Sequence, residues 1–306
     1  MSNILESVNK RTQLVGQNRL ELLLFKLNGR QRFGINVFKV KEVLQCPPLT
    51  NLPKLNSKVR GVAHVRGMTI SVIDLSAATG GRPIENLENS FIIISEYNRS
   101  IQGFLVSSVE RIINMNWEAI MPPPQGAGKF SYLTAVTEID NELVEILDVE
   151  KILDEISPVN TNTSKELDEA LTIDRDKHYH IMVIDDSSVA RKQIIRALTS
   201  LDLQIDTAKD GKEALDKLRA ISAELDDVST EIPLIISDIE MPEMDGYTLT
   251  AEIRDDPKLK NIKVVLHTSL SGVFNQAMVQ KVGANDFIAK FNPDELAAAV
   301  NKHLSL

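Results

Sequence analysis

Ile181-Met182-Val183-Ile184-Asp185-Asp186 and Leu234-Ile235-Ile236-Ser237-Asp238 follow one pattern: a short, mostly apolar run that stops on a carboxylate. Val264-Val265-Leu266-His267 ends similarly on Thr268-Ser269, Phe287-Ile288-Ala289 ends on Lys290, and one more run begins at Ile205. Short runs without polar alternation suit strands covered on both faces. Between them, residues 189–198, 214–221, 249–253 and 277–282 carry helical spacing, and 296–304 follows the last run. Strand and helix in strict alternation predict an α/β fold, a doubly wound parallel five-stranded sheet over residues 179–306. In such sheets chemistry gathers at the carboxyl ends of the strands.

Upstream, residues 156–178 are polar, poor in aromatics and interrupted by Pro158. They bury too little apolar area to offset their ordering entropy, which predicts a linker. Residues 18–155 read as β. Residues 20–27 lead into Asn28-Gly29, a hairpin signal because both residues tolerate positive φ, and Phe33 and Ile35 begin the return strand. Val37, Val40, Val43 and Leu44 are spaced for a short helix that Pro47-Pro48 ends. Residues 59–65 and 69–75 flank Arg66-Gly67, 91–95 and 102–107 flank 97–99, and 133–139 and 143–147 flank Asp140-Asn141. Many short strands with closely spaced turns predict a compact, barrel-like β domain. Residues 1–17 form a separate short segment in which Ile4, Leu5 and Val8 have helical spacing.

The 306 residues carry a net charge of −9. That balance argues against a nucleic-acid binder, which needs a basic face to displace counterions, and against a polybasic membrane-surface protein. No apolar run reaches the roughly 18 residues of a membrane span, and the amino terminus lacks the features of a signal peptide. The one cysteine, Cys46, excludes an intrachain disulfide and a cysteine-based metal cluster. Together these features predict a cytoplasmic protein. Residues 1–155 offer no catalytic set: His64 stands alone and no glycine-rich phosphate loop is present.

The strand ends bring three carboxylates, a hydroxyl and an amine to one edge. Clustered carboxylates repel and need a cation to stay ionised. Oxygen ligands of this kind suit Mg²⁺, which keeps waters for a phosphate, and Lys290 supplies a second positive charge. A carboxylate so placed can attack phosphorus, since phosphoryl transfer depends mostly on positioning and charge neutralisation. A phosphatase with an aspartyl nucleophile is the enzymatic competitor. Its acid pair typically sits as Asp-x-Asp at one strand end, whereas here Asp238-Ile239-Glu240 precedes Met241-Pro242 and the pair lies at Asp185-Asp186.

These residues resemble the two-component receiver family over the whole of 179–306. The resemblance implies Asp238 as phosphoacceptor, Asp186 as direct Mg²⁺ ligand, Asp185 as a water-linked one, and the Glu240 backbone carbonyl as a further ligand. It implies Thr268 as the hydroxyl that approaches the acyl phosphate, Lys290 as the phosphate counter-ion and Phe287 as the aromatic whose rotamer follows activation. The stretch Met241-Pro242-Glu243-Met244-Asp245-Gly246 is similar to the family's loop after the phosphoacceptor, while Phe291 stands where the family commonly has proline.

The first half resembles the CheW-like coupling domain over about 18–155, through Phe25 to Val37, Val40 to Leu44, Val59 to Gly67, Ile70 to Leu75, and Ile146 to Leu153. The resemblance implies two small SH3-like β-barrels that bind chemoreceptors (methyl-accepting chemotaxis proteins) and the CheA histidine kinase. Arg66 is the expected receptor contact, with Val37, Val40 and Val43 as an apolar groove. A coupling domain followed by a receiver resembles the CheV family. Only the last helix is expected after Lys290, which leaves no room for a DNA-binding output domain. The implied role is a non-enzymatic adaptor at receptor arrays, bridging receptors and CheA, with its coupling adjusted by phosphorylation of Asp238. The alternative is a phosphate sink that drains the kinase, the first domain serving only to localise it.

Overall fold

The computed structural model describes residues 19–53, 56–97, 100–116, 119–123, 132–158, 163–164, 177–268, 279, 281–290 and 292–305. The expectations for residues 1–17, the turn at 98–99, most of 156–178 and of 277–282, and Phe291 lie outside these residues. The chain divides into two compact units, one of them Arg19–Val159 and the other holding the second half.

The first unit contains two five-stranded sheets. Strands β1 (Arg19–Lys26), β2 (Arg32–Asn36), β8 (Ser108–Asn116), β9 (Leu133–Ile139) and β10 (Glu142–Leu147) form one, in the order β8-β1-β2-β10-β9. The other comes from the intervening chain: β3 (Glu42–Gln45), β4 (Val59–Val65), β5 (Met68–Asp74), β6 (Phe91–Tyr97) and β7 (Ser100–Val106), ordered β3-β6-β7-β5-β4. Each sheet has its own core. Leu20, Leu22, Leu24, Val144 and Ile146 fill the first, and Val65, Ile70, Val72, Ile92 and Leu105 the second. Short α1 (Leu75–Ala78) follows β5, and α2 (Val149–Ile156) closes the unit, capped by Asp148 accepting from Lys151 N at 3.0 Å.

Among the described turns, those at Asp140-Asn141 and Arg66-Gly67 are two-residue hairpins. Asp140 and Asn141 adopt φ 54° and 60° between the paired Ile139 and Glu142, and Arg66 and Gly67 adopt φ 49° and 81° between Val65 and Met68. Positive φ at both central residues matches the twist of the flanking strands. The Asn28-Gly29 loop is wider, because the last strand pair is Lys26 with Arg32.

The helix expected from Val37 to Leu44 does not form. Only Val37–Lys39 coils, as a single 3-10 turn, and Glu42–Gln45 is strand β3, with Glu42 opposite Ile94 and Gln45 opposite Phe91. A β-branched residue such as Val43 fits a pleated surface, and the open edge of β6 supplies hydrogen bonds that the helical spacing does not reveal.

In the second unit, β11 (His180–Ile184), β12 (Gln204–Ala208), β13 (Leu234–Ser237), β14 (Lys263–Thr268) and β15 (Asp286–Ala289) run parallel in the order β12-β11-β13-β14-β15. Helices α3 (Ser188–Ala197), α4 (Gly211–Ser222), α5 (Gly246–Asp255) and α6 (Pro293–Leu304) connect or follow them. The α/β expectation holds, five strands and all. One face packs Met182, Ile235, Leu249 and Leu266, and the other Val183, Ile194, Ile236, Val265 and Val300. Each helix begins on a polar cap: Ser187, Asp210, Asp245 and Asn292 accept from backbone N–H groups of the first turn. These caps satisfy amide groups that would otherwise lack partners. The strand order reverses between β11 and β13, the place where such sheets open a crevice.

Candidate functional site

At that crevice β11 delivers Asp185 and Asp186, and β13 delivers Asp238. One carboxylate oxygen from each lies within 4.8 Å of the others. Asp185 and Asp238 are buried and Asp186 is half-buried. From the end of β15, the buried Lys290 places Nζ at 2.7 Å from Asp185 Oδ2 and 2.7 Å from Asp238 Oδ2. Parallel register sets this arrangement, since Ile184 pairs with Ser237 and the next residue of each strand is one of these carboxylates. Thr268 ends β14 and pairs with Ala289, so its backbone reaches the same edge. Phe287 is half-buried in β15 and packs against the core that contains Leu266. Glu240, two residues beyond Asp238, is half-buried.

The backbone around the carboxylates is tightly held. Asp185 Oδ1 accepts from Ser187 N at 2.8 Å, and Arg191 donates to the Asp185 carbonyl. Asp238 Oδ1 accepts from Ile239 N at 2.7 Å, and Ser237 Oγ donates to the Asp238 carbonyl at 2.8 Å. A Cβ on Gly246 would meet the Asp238 carbonyl oxygen at 2.2 Å, so only glycine lets α5 start this close to the site.

Burial pushes the Asp238 carboxyl up to about 7; Lys290 pulls it down, and Asp186 and Glu240 push it further up. The Lys290 charge therefore does not offset the burial of the Asp238 carboxyl. The donor set fits a divalent cation that prefers oxygen: Asp185, Asp186 and Asp238 supply three carboxylates within 4.8 Å of one another. Nearby, His267 of β14 is fully buried, and burial followed by the Lys290 charge lowers it well below the usual histidine range.

The comparisons with known proteins agree with this division. Residues 21–157 match the CheW-like domain family, and residues 181–301 the response regulator receiver domain. Chemotaxis protein CheV3 of Helicobacter pylori is 31% identical over 305 residues, covering 94% of this chain and 95% of that protein. The chain belongs to the CheV family of chemotaxis proteins. Chemotaxis protein CheV1 of the same organism is 28% identical, with both chains covered in full. Among solved structures, the scaffolding protein TtCheW of Thermoanaerobacter tengcongensis is 24% identical, with TM-score 0.41, covering 46% of this chain and 90% of that one.

In this CheV-family chain the CheW-like half presents Arg66 at the tip of the β4–β5 hairpin. Its side chain is 73% exposed and pairs with Glu42 Oε2 at 2.7 Å. A cleft of about 270 Å³ beside it is lined by Lys41, Glu42, Val65, Met68, Ile70 and Ile94, among others. Val37, Val40 and Val43 are half-buried, and none of them lines that cleft. No helix among the described residues is long and apolar enough to cross a membrane.

Sequence reasoning did not assign Arg191, His267 or Gly246. Gly246 had a signal, since it closes the stretch Met241 to Gly246. Arg191 and His267 had none, because one looks like any helix-surface arginine and the other like any strand residue.

Proposed function

We propose that this protein is a cytoplasmic, phosphorylation-responsive adaptor: its CheW-like half couples chemoreceptors to the CheA histidine kinase, and its receiver accepts a phosphoryl group at Asp238. The observation that carries the reading is Lys290 Nζ at 2.7 Å from both Asp185 and Asp238, at the strand edge of a chain whose other half is CheW-like. Asp238 would attack the phosphorus of a kinase phosphohistidine. The N–P bond breaks, its electron pair returns to the imidazole, and an O–P bond forms on the carboxylate. Lys290 is placed to follow the charge onto the phosphoryl oxygens. Asp185, Asp186, Asp238 and the Glu240 carbonyl are the groups that would hold Mg²⁺, which when bound neutralises phosphate charge. Thr268 is the hydroxyl proposed to approach the acyl phosphate, and Phe287 the aromatic that turns inward after it.

In the CheW-like half Arg66, already paired with Glu42 and exposed, is the proposed receptor contact, with Val37, Val40 and Val43 as the apolar part of that surface. Receptor-stimulated kinase activity, measured with the phosphorylated protein and with Asp238→Ala, tests the reading. Coupling that changes with phosphorylation in the wild type and not in Asp238→Ala supports it. Unchanged coupling, together with faster loss of phosphoryl groups from CheA, leaves only a phosphate sink. Arg66→Ala should weaken receptor binding at unchanged thermal stability, and a matching loss of stability would make Arg66 a turn-supporting residue instead.

A further inference from the structure

The loop between β11 and α3 carries Asp185 and Asp186, and its backbone is bound step by step. Asp185 N donates to the Ala208 carbonyl at 3.2 Å, Ser187 N to Asp185 Oδ1 at 2.8 Å, and Arg191 N to the Ser187 carbonyl at 3.0 Å. The Asp185 carbonyl lies just beyond Ile184, the last paired residue of β11, and the Arg191 side chain donates to it. The two carboxylates of the loop are held differently. Both oxygens of Asp185 are engaged, Oδ1 by Ser187 N and Oδ2 by Lys290 Nζ at 2.7 Å. No hydrogen bond among the described residues reaches the Asp186 carboxylate, so its direction is set by its own backbone.

We infer that Arg191 is a positioning residue for the acidic cluster: by holding the Asp185 carbonyl it orients the peptide that leads into Asp186, and so aims the Asp186 carboxylate at the point it shares with Asp185 and Asp238. This rests on the reading of that cluster as the Mg²⁺ and phosphoryl site. The Asp185 carbonyl and Asp186 N belong to one planar peptide, so a donor fixed on that oxygen fixes the plane and narrows the directions open to the Asp186 side chain. Helix energetics do not select the residue. Arg191 is the fourth residue of α3, and a cation near a helix N-terminus opposes the helix dipole. The neighbouring carboxylates offset that repulsion, and the rigid guanidinium fork holds its donor in place with less loss of freedom than a lysine would. Arg191 is also half-buried, which limits the competition from water for the carbonyl. Without it the carbonyl turns to solvent and Asp186 samples directions away from the shared point. A cation must then order the carboxylate as it binds, which lowers affinity although every ligand is still present.

Calorimetric titration of the full chain with Mg²⁺ provides the test, in the wild type, Arg191→Met and Arg191→Lys. Arg191→Met keeps the apolar stem and loses the donor, and its Mg²⁺ affinity should fall about tenfold. Arg191→Lys keeps a charge and a donor and should recover part of that loss, which also serves if the methionine variant does not fold. Phosphorylation by acetyl phosphate at graded Mg²⁺ adds a second readout. The Mg²⁺ concentration for half-maximal rate should rise by the same factor as the dissociation constant, and saturating Mg²⁺ should restore the rate. Unchanged Mg²⁺ affinity in Arg191→Met would overturn the positioning role, and a lower melting temperature alongside it would make Arg191 a support for the loop only. A rate that saturating Mg²⁺ does not restore would also overturn it, since Arg191 would then act on phosphoryl transfer itself. If the wild type binds Mg²⁺ yet takes no phosphoryl group, the phosphoacceptor reading fails, while a tenfold weaker affinity in Arg191→Met would still uphold the aiming of Asp186.

Discussion

Asp186 is the half-buried member of the acidic cluster, beside the two carboxylates that Lys290 already engages. Asp186→Ala removes one of few protein oxygens available to a hard cation. Mg²⁺ affinity should fall by about 10–100-fold, measured by titration, and an unchanged affinity would remove Asp186 from the ligand set. His267 gives a second expectation, with a sign. Its folded pKa lies well below 6.5 because burial disfavours the imidazolium, so in the window below 6.5 the unfolded chain holds more protons than the folded one. Receiver stability therefore rises with pH up to about 6.5 and is lost as pH falls through the folded value. Melting temperatures from about pH 5 to 7 should rise less steeply in His267→Gln than in the wild type. An identical slope would assign the pH dependence to other groups. At this scale Asp185, Asp186, Asp238 and Lys290 were legible because apolar runs end visibly and a parallel sheet places their ends together. The lowered pKa of His267 was not, since it comes first from burial and then from the Lys290 charge, both of which exist only once the sheet has folded.

Helix α5 starts against the backbone of Asp238, and glycine makes that approach possible. In Gly246→Ala the Cβ would stand 2.2 Å from the Asp238 carbonyl oxygen, so the helix start or the Asp238 backbone must shift. The variant should be destabilised by about 1–3 kcal/mol in urea unfolding and should bind beryllofluoride less tightly. Full stability together with normal binding would show that the α5 start yields freely. Elements were read best where local pattern and tertiary partner agree, as in the strands and the four described helices of the receiver and the turn at Asp140-Asn141. They were read worst where a partner decides. Strand β3 carries helical spacing yet pairs with β6. Strand β8, Ser-Val-Glu-Arg-Ile-Ile-Asn-Met-Asn over residues 108–116, mixes charges with apolar residues and is defined by its pairing with β1.

The described residues form three sheets in two compact units, each unit with its own core. Calorimetry should show two unfolding transitions, and Mg²⁺ should raise the midpoint of one and leave the other in place. A single transition moving with Mg²⁺ would mean that the units unfold together. The interleaving of the first unit was not legible in the sequence, because parallel pairing leaves no local mark. Residues 32–34 of β2 pair with 144–146 of β10, while all five strands of the second sheet lie in the chain between them. During synthesis, then, residues 42–106 can complete their sheet while the hairpin of β1 and β2 still waits on the ribosome for β10 to cover the second edge of β2. The waiting strands carry Leu22, Leu24 and Ile35, all fully covered in the finished fold. A nascent chain halted before residue 144 should therefore be sticky, and one released after residue 147 should not; chaperone capture of stalled chains of graded length would follow that step.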